Sequence, residues 1–148
     1  MDDFKISKIK EDERGLLIAL LNEASLSVSD LPEKLEHFYF AKKGEKVIGS
    51  IGLEVYGTLG FLRSMVVTKG MQGEGIGKVL LDQLISKAAA SEVGIDEIYL
   101  ITENAASFFK SAGFEIVSRE TVPSIIKDIP QFKSICPTSA AVMKRKVK

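Results

Sequence analysis

The sequence predicts a mixed α/β (α+β) fold, in which a mainly antiparallel central sheet of about six to seven strands is flanked by about four helices. Three β-patterned stretches with short turns between them fill residues 38–68 and indicate an antiparallel meander. A glycine-rich turn then opens onto a segment whose apolar residues recur at helical spacing. At 148 residues the chain is long enough to bury one core, so we expect a single domain over residues 1–148.

The N-terminal part of the chain is predicted to form one strand and two helices. Residues 4–7 form the short strand. Acidic residues at 11–13 complement the dipole at the start of a helix over residues 11–24, whose leucines give it a buried face. Residues 29–33 then combine a capping residue, a proline in the first turn and an acid after it. This combination predicts a second, short helix that ends at about Glu36.

The meander is predicted as strands over residues 38–41, 47–56 and 59–68. The middle strand places four apolar side chains on one face: Val47, Ile51, Leu53 and Val55. Glu54 lies on the opposite face, beside Ser50 and Gly52. Because these two neighbours are small, we expect room for a ligand next to Glu54.

The long helix after the glycine-rich turn is predicted over residues 75–90, and Gly94 ends it. Residues 97–101 are almost continuously apolar, as in a strand that is buried on both faces. A further helix over residues 105–112 is expected, with Asn104 as its cap and Gly113 as its left-handed stop.

The C-terminal part is predicted to contain strands over residues 114–117 and 139–147. Between them, residues 120–137 contain three prolines, so long regular structure is not expected there. Irregular segments held over a rigid sheet often carry substrate contacts.

The glycine-rich turn before the long helix predicts a site for a phosphate-bearing ligand. Unpaired amides and the positive dipole end of a helix bind phosphate, and glycine lets the main chain approach closely. A nucleotide-binding P-loop is excluded, because Val79 follows Lys78 where Ser or Thr is needed. A dinucleotide fingerprint that began at Gly75 would need glycine at position 80, which is leucine.

The spacing Gln72-x-x-Gly75-x-Gly77 resembles the signature of the Gcn5-related N-acetyltransferases (GNAT family). Residues 102–114, Thr-Glu-Asn-Ala-Ala-Ser-Phe-Phe-Lys-Ser-Ala-Gly-Phe, resemble a second block of that family, and the resemblance spans nearly the whole chain. The alternative is a glycine turn that only connects a strand to a helix. The resemblance implies the GNAT fold and acetyl-coenzyme A (acetyl-CoA) as co-substrate.

The resemblance also implies which residues bind the co-substrate. The strand end Met65, Val66 and Val67 would hold the pantetheine through main-chain hydrogen bonds and offer an amide to the oxyanion. The pyrophosphate would lie against the turn formed by Gln72, Gly73, Glu74, Gly75, Ile76, Gly77 and Lys78. Phe109 stands where many relatives carry a tyrosine that protonates the leaving thiolate, so that proton must come from elsewhere or the thiolate leaves unprotonated.

Composition limits the classes of partner. The 20 basic and 20 acidic residues balance, so we expect no nucleic-acid partner, and no apolar run is long enough to cross a membrane. One cysteine and one histidine give no metal site, and we expect no metal. No signal peptide is visible, so a cytoplasmic protein is expected. Whether the chain forms a homodimer is left open.

Glu54 is the candidate general base, because an alkylammonium must lose a proton before it can attack a thioester. The alternative for Glu54 is an acid without a catalytic role on the solvent face of the sheet. Glu103, just after the following strand, is a second candidate for the general base. His37 lies at an element boundary, which favours a structural role. Cys136 has no histidine near it in sequence, so we expect a packed thiol.

Arg63 stands inside an otherwise apolar strand, where a guanidinium requires an oxyanion partner. It is predicted to bind the acid group of an amino-acid-like substrate, with an internal salt bridge to Glu54 as the alternative. Such a salt bridge would hold Glu54 ionised and make it a weaker base. Arg119 is a further candidate for an anion contact.

Together these features predict an N-acetyltransferase that acts on the amine of a small amino-acid-like acceptor by direct attack. The branch resembled is that of N-acetylglutamate synthase-like and arsenic-resistance-associated N-acetyltransferases. A non-catalytic CoA-binding sensor or scaffold and a protein or peptide N-acetyltransferase are the alternatives.

Overall fold

The structure, a computed structural model, describes residues 4–90, 92–134 and 140–147. Within these ranges the strands are β1 (Lys5–Lys8), β2 (Phe38–Lys43), β3 (Lys46–Tyr56), β4 (Leu59–Val67), β5 (Glu97–Thr102), β6 (Glu115–Val117) and β7 (Ala141–Lys146). The helices there are α1 (Arg14–Glu23), α2 (Ile76–Ala89), α3 (Ala106–Ser111), α4 (Ser124–Lys127) and α5 (Pro130–Ser134). Short 3-10 turns cover Glu11–Glu13, Lys69–Met71 and Arg119–Thr121.

The seven strands of the described residues form one mixed sheet in the order β1-β2-β3-β4-β5-β7-β6. Antiparallel pairing joins β1 to β2, β2 to β3, β5 to β7 and β6 to β7. The pairing of β4 with β5 is parallel and matches Leu59 to Glu97 and Phe61 to Tyr99. The predicted fold class, a mainly antiparallel mixed sheet with flanking helices, is therefore confirmed.

The chain divides into two compact units. The first contains the described residues of Met1–Glu54 and Leu62–Lys87, and the second those of Val55–Phe61 and Ala88–Lys148. One buried cluster of the first unit joins α1 to β2: Ile9, Leu17, Leu21, Leu35, Phe38 and Phe40. One buried cluster of the second unit joins β4 and β5 to the C-terminal helices and β7: Phe61, Tyr99, Val122, Ile126, Ile129, Phe132 and Val142.

Two glycines of β3 allow close packing in the first unit. A Cβ atom on Gly49 would lie 2.8 Å from the carbonyl oxygen of Val66, closer than packed atoms allow. A Cβ atom on Gly52 would lie 2.3 Å from Cε2 of Phe38. The space beside Gly52 is thus filled by a buried aromatic ring, and the expected room for a ligand at Gly52 is wrong.

The predicted helix over residues 29–36 is also wrong, since this segment contains only turns and bends. Its main-chain carbonyls, which a helix would need as acceptors, are used by another side chain. Arg14 donates to the carbonyls of Leu31, Pro32 and Glu33 at 3.4, 2.8 and 3.3 Å. The side chain of Asp30 is engaged as well, with the hydroxyl of Ser27 at 3.0 Å. Local helix signals were overridden by these contacts.

The start of α3 differs from the prediction. The N-cap residue of α3 is Ala105, so the predicted cap at Asn104 is wrong. The amide of Ala105 donates to the hydroxyl of Thr102 at 3.0 Å. Gly113 has φ +94°, which confirms the predicted left-handed stop.

Regular structure after β6 is short, as the prolines predict. Pro123 directly precedes α4, and Pro130 is the first residue of α5. Cys136, Pro137 and the predicted strand start at residue 139 lie outside the described residues. None of the helices in the described ranges has the length and apolar character needed to cross a bilayer.

Candidate active site

An ion pair between Arg63 and Glu54 forms the centre of the site in the first unit. Glu54 lies near the end of β3 and Arg63 in β4, on the two strands that flank the turn at Gly57. Nη1 of Arg63 donates to Oε2 of Glu54 at 2.6 Å, and the two side chains are 1% and 10% exposed. The internal salt bridge that the sequence left open is therefore confirmed.

Asp30 holds the other edge of the same guanidinium. Its Oδ1 accepts from Nη2 of Arg63 at 2.9 Å, and its main-chain carbonyl accepts from Nη1 at 3.2 Å. Nε of Arg63 donates to the hydroxyl of Ser64 at 3.2 Å. The guanidinium is thus fixed from three directions, which satisfies the requirement that a buried cation be paired.

The charge of Arg63 governs the ionisation of Asp30. Burial acts to raise the pKa of Asp30, but the hydrogen bond and positive charge of Arg63, together with the Ser27 hydroxyl, outweigh it, so the pKa is lowered. Asp30 is therefore ionised at neutral pH. Sequence reasoning missed Asp30 as a site residue because its only sequence signal was that of a helix cap.

Ser64 has φ +58°, a left-handed conformation that costs a residue with a side chain about 1–2 kcal/mol. Two contacts hold it there. The hydroxyl of Ser50 donates to the carbonyl of Ser64 at 2.7 Å, and Arg63 donates to its hydroxyl. Ser64 is buried and directly precedes the strand end expected to bind pantetheine. No sequence signal pointed to this strained position.

The strand end Met65–Val67 is half-buried and continues β4 beyond the residues that pair with β5. Val66 packs against the buried cluster of the first unit. The carbonyl of Val67 accepts from the side-chain amide of Gln72 at 3.0 Å. Gln72, the first residue of the signature, thus ties the glycine turn back to the end of β4.

The glycine turn is exposed at its tip. Gly73 and Gly75 have φ of +85° and +82°, and a Cβ atom on either would meet nothing within 4 Å. Glycine is required here by conformation and not by crowding. The turn therefore presents an open surface of main chain.

The glycine turn leads into the 14-residue helix α2. The amide of Val79 donates to the carbonyl of Gly75 at 3.2 Å and closes the first helical turn. Amides in a helix's first turn have no carbonyl partner within the helix; in α2 these are the amides of Ile76, Gly77 and Lys78. Ile76 itself is buried and anchors the turn.

Two charged side chains of the turn have partners of their own. Lys78 pairs with Asp82 at 3.1 Å on the exposed face of α2. Glu74 is also engaged in an interaction. The polar surface offered to a ligand is therefore mainly the main chain.

Phe109 and Arg119 belong to the second unit. The Phe109 ring is buried and makes edge contacts with Phe108 and Phe114, with ring centres 5.1 and 5.6 Å apart. The guanidinium of Arg119 lies 5.0 Å from the ring centre of Phe132, and within the described part of the chain its buried Nη2 has no hydrogen-bond partner. A buried guanidinium nitrogen of this kind suits an anion.

Two other proton acceptors, Glu103 and His37, were considered from sequence. Glu103 is exposed just after β5. His37 is half-buried before β2, and burial lowers its pKa, with Lys8 adding to and Glu36 opposing the shift. Its main-chain carbonyl accepts from Leu53 at 3.0 Å, which supports the structural role expected for it.

Residues 34–116 match the family model described as Acetyltransferase (GNAT) domain. An uncharacterized N-acetyltransferase of Chlorobaculum tepidum is 31% identical over 126 residues, which are 84% of this chain and 77% of that protein. A GNAT-family acetyltransferase structure from Staphylococcus aureus Mu50 has a TM-score of 0.77 at 26% identity, covering 99% of this chain and 100% of that one.

The N-acetylglutamate synthase of Neisseria gonorrhoeae, solved with coenzyme A and N-acetyl-glutamate, has a TM-score of 0.81 at 18% identity. That match covers 100% of this chain but only 36% of the synthase, so the chain spans about a third of the synthase's length. The family match covers more than half of the sequence, and the Chlorobaculum relative is similar over most of its length. The chain therefore belongs to the GNAT family of acetyltransferases.

Proposed function

We propose that this acetyltransferase transfers the acetyl group of acetyl-CoA to the amine of a small, amino-acid-like acceptor by direct attack. The observation that carries the proposal is the open glycine turn at the start of α2, joined to the end of β4 by Gln72. When bound, acetyl-CoA supplies an activated acetyl thioester.

The turn fits a pyrophosphate on physical grounds. Gly73 and Gly75 leave the main chain of the turn uncovered, because they have no side chains. The positive end of the α2 dipole and the amides of its first turn lie next to this uncovered main chain. The main chain of Met65, Val66 and Val67 would hold the pantetheine and orient the thioester. The remaining turn residues predicted from the signature would contribute through their amides.

Glu54 is the proposed general base. An alkylammonium has a pKa of about 10, so the acceptor must give up a proton before its nitrogen can attack the thioester carbon. The ion pair with Arg63, made through Oε2, fixes the orientation of the Glu54 carboxylate. In the reaction the ammonium first passes one proton to the carboxylate; the N–C bond then forms, the C–S bond breaks, and the second proton lost by the nitrogen goes to the departing thiolate or to water.

The acceptor's acid group needs a cationic contact. Arg63 was predicted for this role, but its guanidinium is 1% exposed and is held by Glu54, Asp30 and Ser64, so we assign it to orienting Glu54 and not to an acceptor contact. Arg119, taken by itself in the second unit, is a candidate contact for an anion, because one buried guanidinium nitrogen has no partner among the described residues. The N-acetyl-glutamate seen with the gonococcal synthase is consistent with an amino-acid class of acceptor.

The departing thiolate receives no proton from residue 109, because Phe109 carries no hydroxyl and its ring is packed among other aromatic rings. Water or the proton released by the acceptor would serve instead. This feature is also why a CoA-binding protein without catalysis remains the rival function.

The test is to incubate the protein with acetyl-CoA and a panel of free amino acids, simple amines and short peptides while following free thiol. We expect saturable thiol release that depends on an amino acid. Binding of CoA without acceptor-dependent release would support the sensor, and release with peptides alone would support a protein or peptide N-acetyltransferase. Either result would overturn the proposal, as would an absence of CoA binding in a calorimeter.

A further inference from the structure

We propose that Asp30 is a positioning residue for acyl transfer, which acts through Arg63 to orient Glu54. This inference rests on the proposed function, in which Glu54 accepts the acceptor's proton. Asp30 does not itself touch the reacting atoms in this account. It determines where the guanidinium lies, and the guanidinium determines where the carboxylate of Glu54 lies.

Two successive contacts connect Asp30 to Glu54: Asp30 binds Arg63, and Arg63 binds Glu54. Asp30 engages both terminal nitrogens of Arg63, with its carboxylate on Nη2 at 2.9 Å and its carbonyl on Nη1 at 3.2 Å. The same Nη1 holds Oε2 of Glu54 at 2.6 Å. Because a guanidinium is planar and rigid, a shift at one edge is transmitted to the other. All three side chains are at least partly buried, at 13%, 1% and 10% exposure, so water does not readily replace a lost contact.

Asp30 also lies in the irregular segment that replaces the predicted second helix. Ser27 donates to its Oδ1, the same oxygen that accepts from Arg63. A second arginine, Arg14, holds the following residues of that segment through main-chain carbonyls alone. The segment is therefore fixed by two arginines, and one of them, Arg63, also contacts Glu54.

This double attachment supplies a matched control. Asp30→Ala removes the side-chain contact with Arg63, whereas Arg14→Met removes three hydrogen bonds to the same segment and leaves Arg63 untouched. If Asp30 merely stabilised the segment, the two variants would behave alike. If it positions Glu54, only Asp30→Ala should lower kcat.

The experiment measures kcat and both KM values for the wild type, Asp30→Ala, Asp30→Asn and Arg14→Met, using acetyl-CoA and the amino acid that gives the fastest thiol release. We expect Asp30→Ala to lower kcat by about tenfold or more, as misplacement of a reacting group does, with the KM for acetyl-CoA within about twofold. Asp30→Asn keeps an oxygen at the Oδ1 position and should recover part of the loss. Arg14→Met should keep the wild-type kcat even where its melting temperature falls.

A double-mutant cycle tests the route through Glu54. In a Glu54→Gln background the general base is already lost, so Asp30→Ala should then change kcat by less than about twofold. An equal loss in both backgrounds, or an equal loss in Arg14→Met, would overturn the positioning role. A wild-type protein that binds CoA but releases no thiol with any acceptor would instead refute the proposed function, and this inference with it.

Discussion

Arg63 and Glu54 face each other across neighbouring strands with 2.6 Å between Nη1 and Oε2, and the guanidinium is almost fully buried. The pair belongs to a cluster of three charges, because Asp30 occupies the opposite edge of the arginine at 2.9 Å. One cation is thus the shared partner of two carboxylates. Removing it would leave both in a poorly solvated environment.

The first prediction concerns this cation. Arg63→Met should lower the free energy of unfolding by about 3–5 kcal/mol, since breaking a buried ion pair leaves uncompensated charge behind. The matched control is Lys78→Met, which breaks the exposed pair with Asp82 and should cost about 0.5 kcal/mol or less. Urea unfolding of both variants at neutral pH measures the difference. If both variants lost the same free energy of unfolding, the buried ion pairs of Arg63 would stabilise the fold no more than the exposed pair does.

The second prediction concerns acid stability. Because the folded-state pKa of Asp30 is lowered below its ordinary value of 3.8, its pairing stabilises the fold fully above about pH 4 and is lost as the pH falls through the folded pKa. Asp30→Asn should therefore be less stable than the wild type at pH 7. The gap should narrow at about pH 3. Urea unfolding between pH 7 and about pH 3 measures the difference in free energy of unfolding between the two proteins. A difference that does not depend on pH would contradict the lowered pKa of Asp30.

The third prediction concerns His37, which should change the stability of the fold in a different pH range. Burial lowers its pKa below 6.5, so the folded state disfavours the charged ring. The wild type should lose stability as the pH falls through 6.5 toward the folded pKa, and His37→Gln should not show that component. Unfolding measured at pH 7 and at about pH 5 tests this, because Asp30 stays ionised throughout. A component of the same size in both proteins would rule out His37 as its source.

The meander could be predicted from sequence because its signals are local. A short aromatic and apolar run indicated β2, and apolar residues on one face indicated β3. Gly44 and Gly57, with φ of +64° and +65°, form the turns on either side of β3. The salt bridge of Arg63 with Glu54 could be anticipated for the same reason, since a tight hairpin places residues nine apart on facing strands.

The segment around Asp30 could not be predicted, because its structure is decided by distant residues. Arg63 reaches it from 33 positions away and Arg14 from 18. A capping residue and a proline carry only local information, and the two arginines outweigh it. The left-handed conformation of Ser64 is equally invisible in sequence, because it is imposed by the hydroxyl of Ser50 and by Arg63.

The fourth prediction concerns the packing of β3 against β4. Gly49→Ala should destabilise the protein by about 1–3 kcal/mol, because its new methyl group would overlap the carbonyl oxygen of Val66. The displaced carbonyl lies in the strand end proposed to hold pantetheine, so the affinity for CoA should fall as well. Gly70→Ala is the control, since a Cβ atom there meets nothing within 4 Å. Unfolding and calorimetric titration with CoA measure both effects, and CoA affinity equal to that of the control would argue against a role for Val66.

The fifth prediction separates conformational strain from ligand binding in the glycine turn. Gly75 and Gly57 both have positive φ, +82° and +65°, and neither is crowded. Alanine at either position should therefore cost about 1–2 kcal/mol of stability through the left-handed conformation alone. Only at Gly75 does relief of that strain rotate the main chain next to the first turn of α2.

The two alanine variants should therefore differ in their affinity for CoA. Gly75→Ala should raise the dissociation constant of CoA by about tenfold, which corresponds to the loss of one or two main-chain hydrogen bonds to phosphate. Gly57→Ala should bind CoA as the wild type does. Isothermal titration of folded protein, with circular dichroism to verify folding, gives both constants. If the two variants bound CoA equally well, the glycine turn would be a connector between β4 and α2, and the pyrophosphate would have to lie elsewhere.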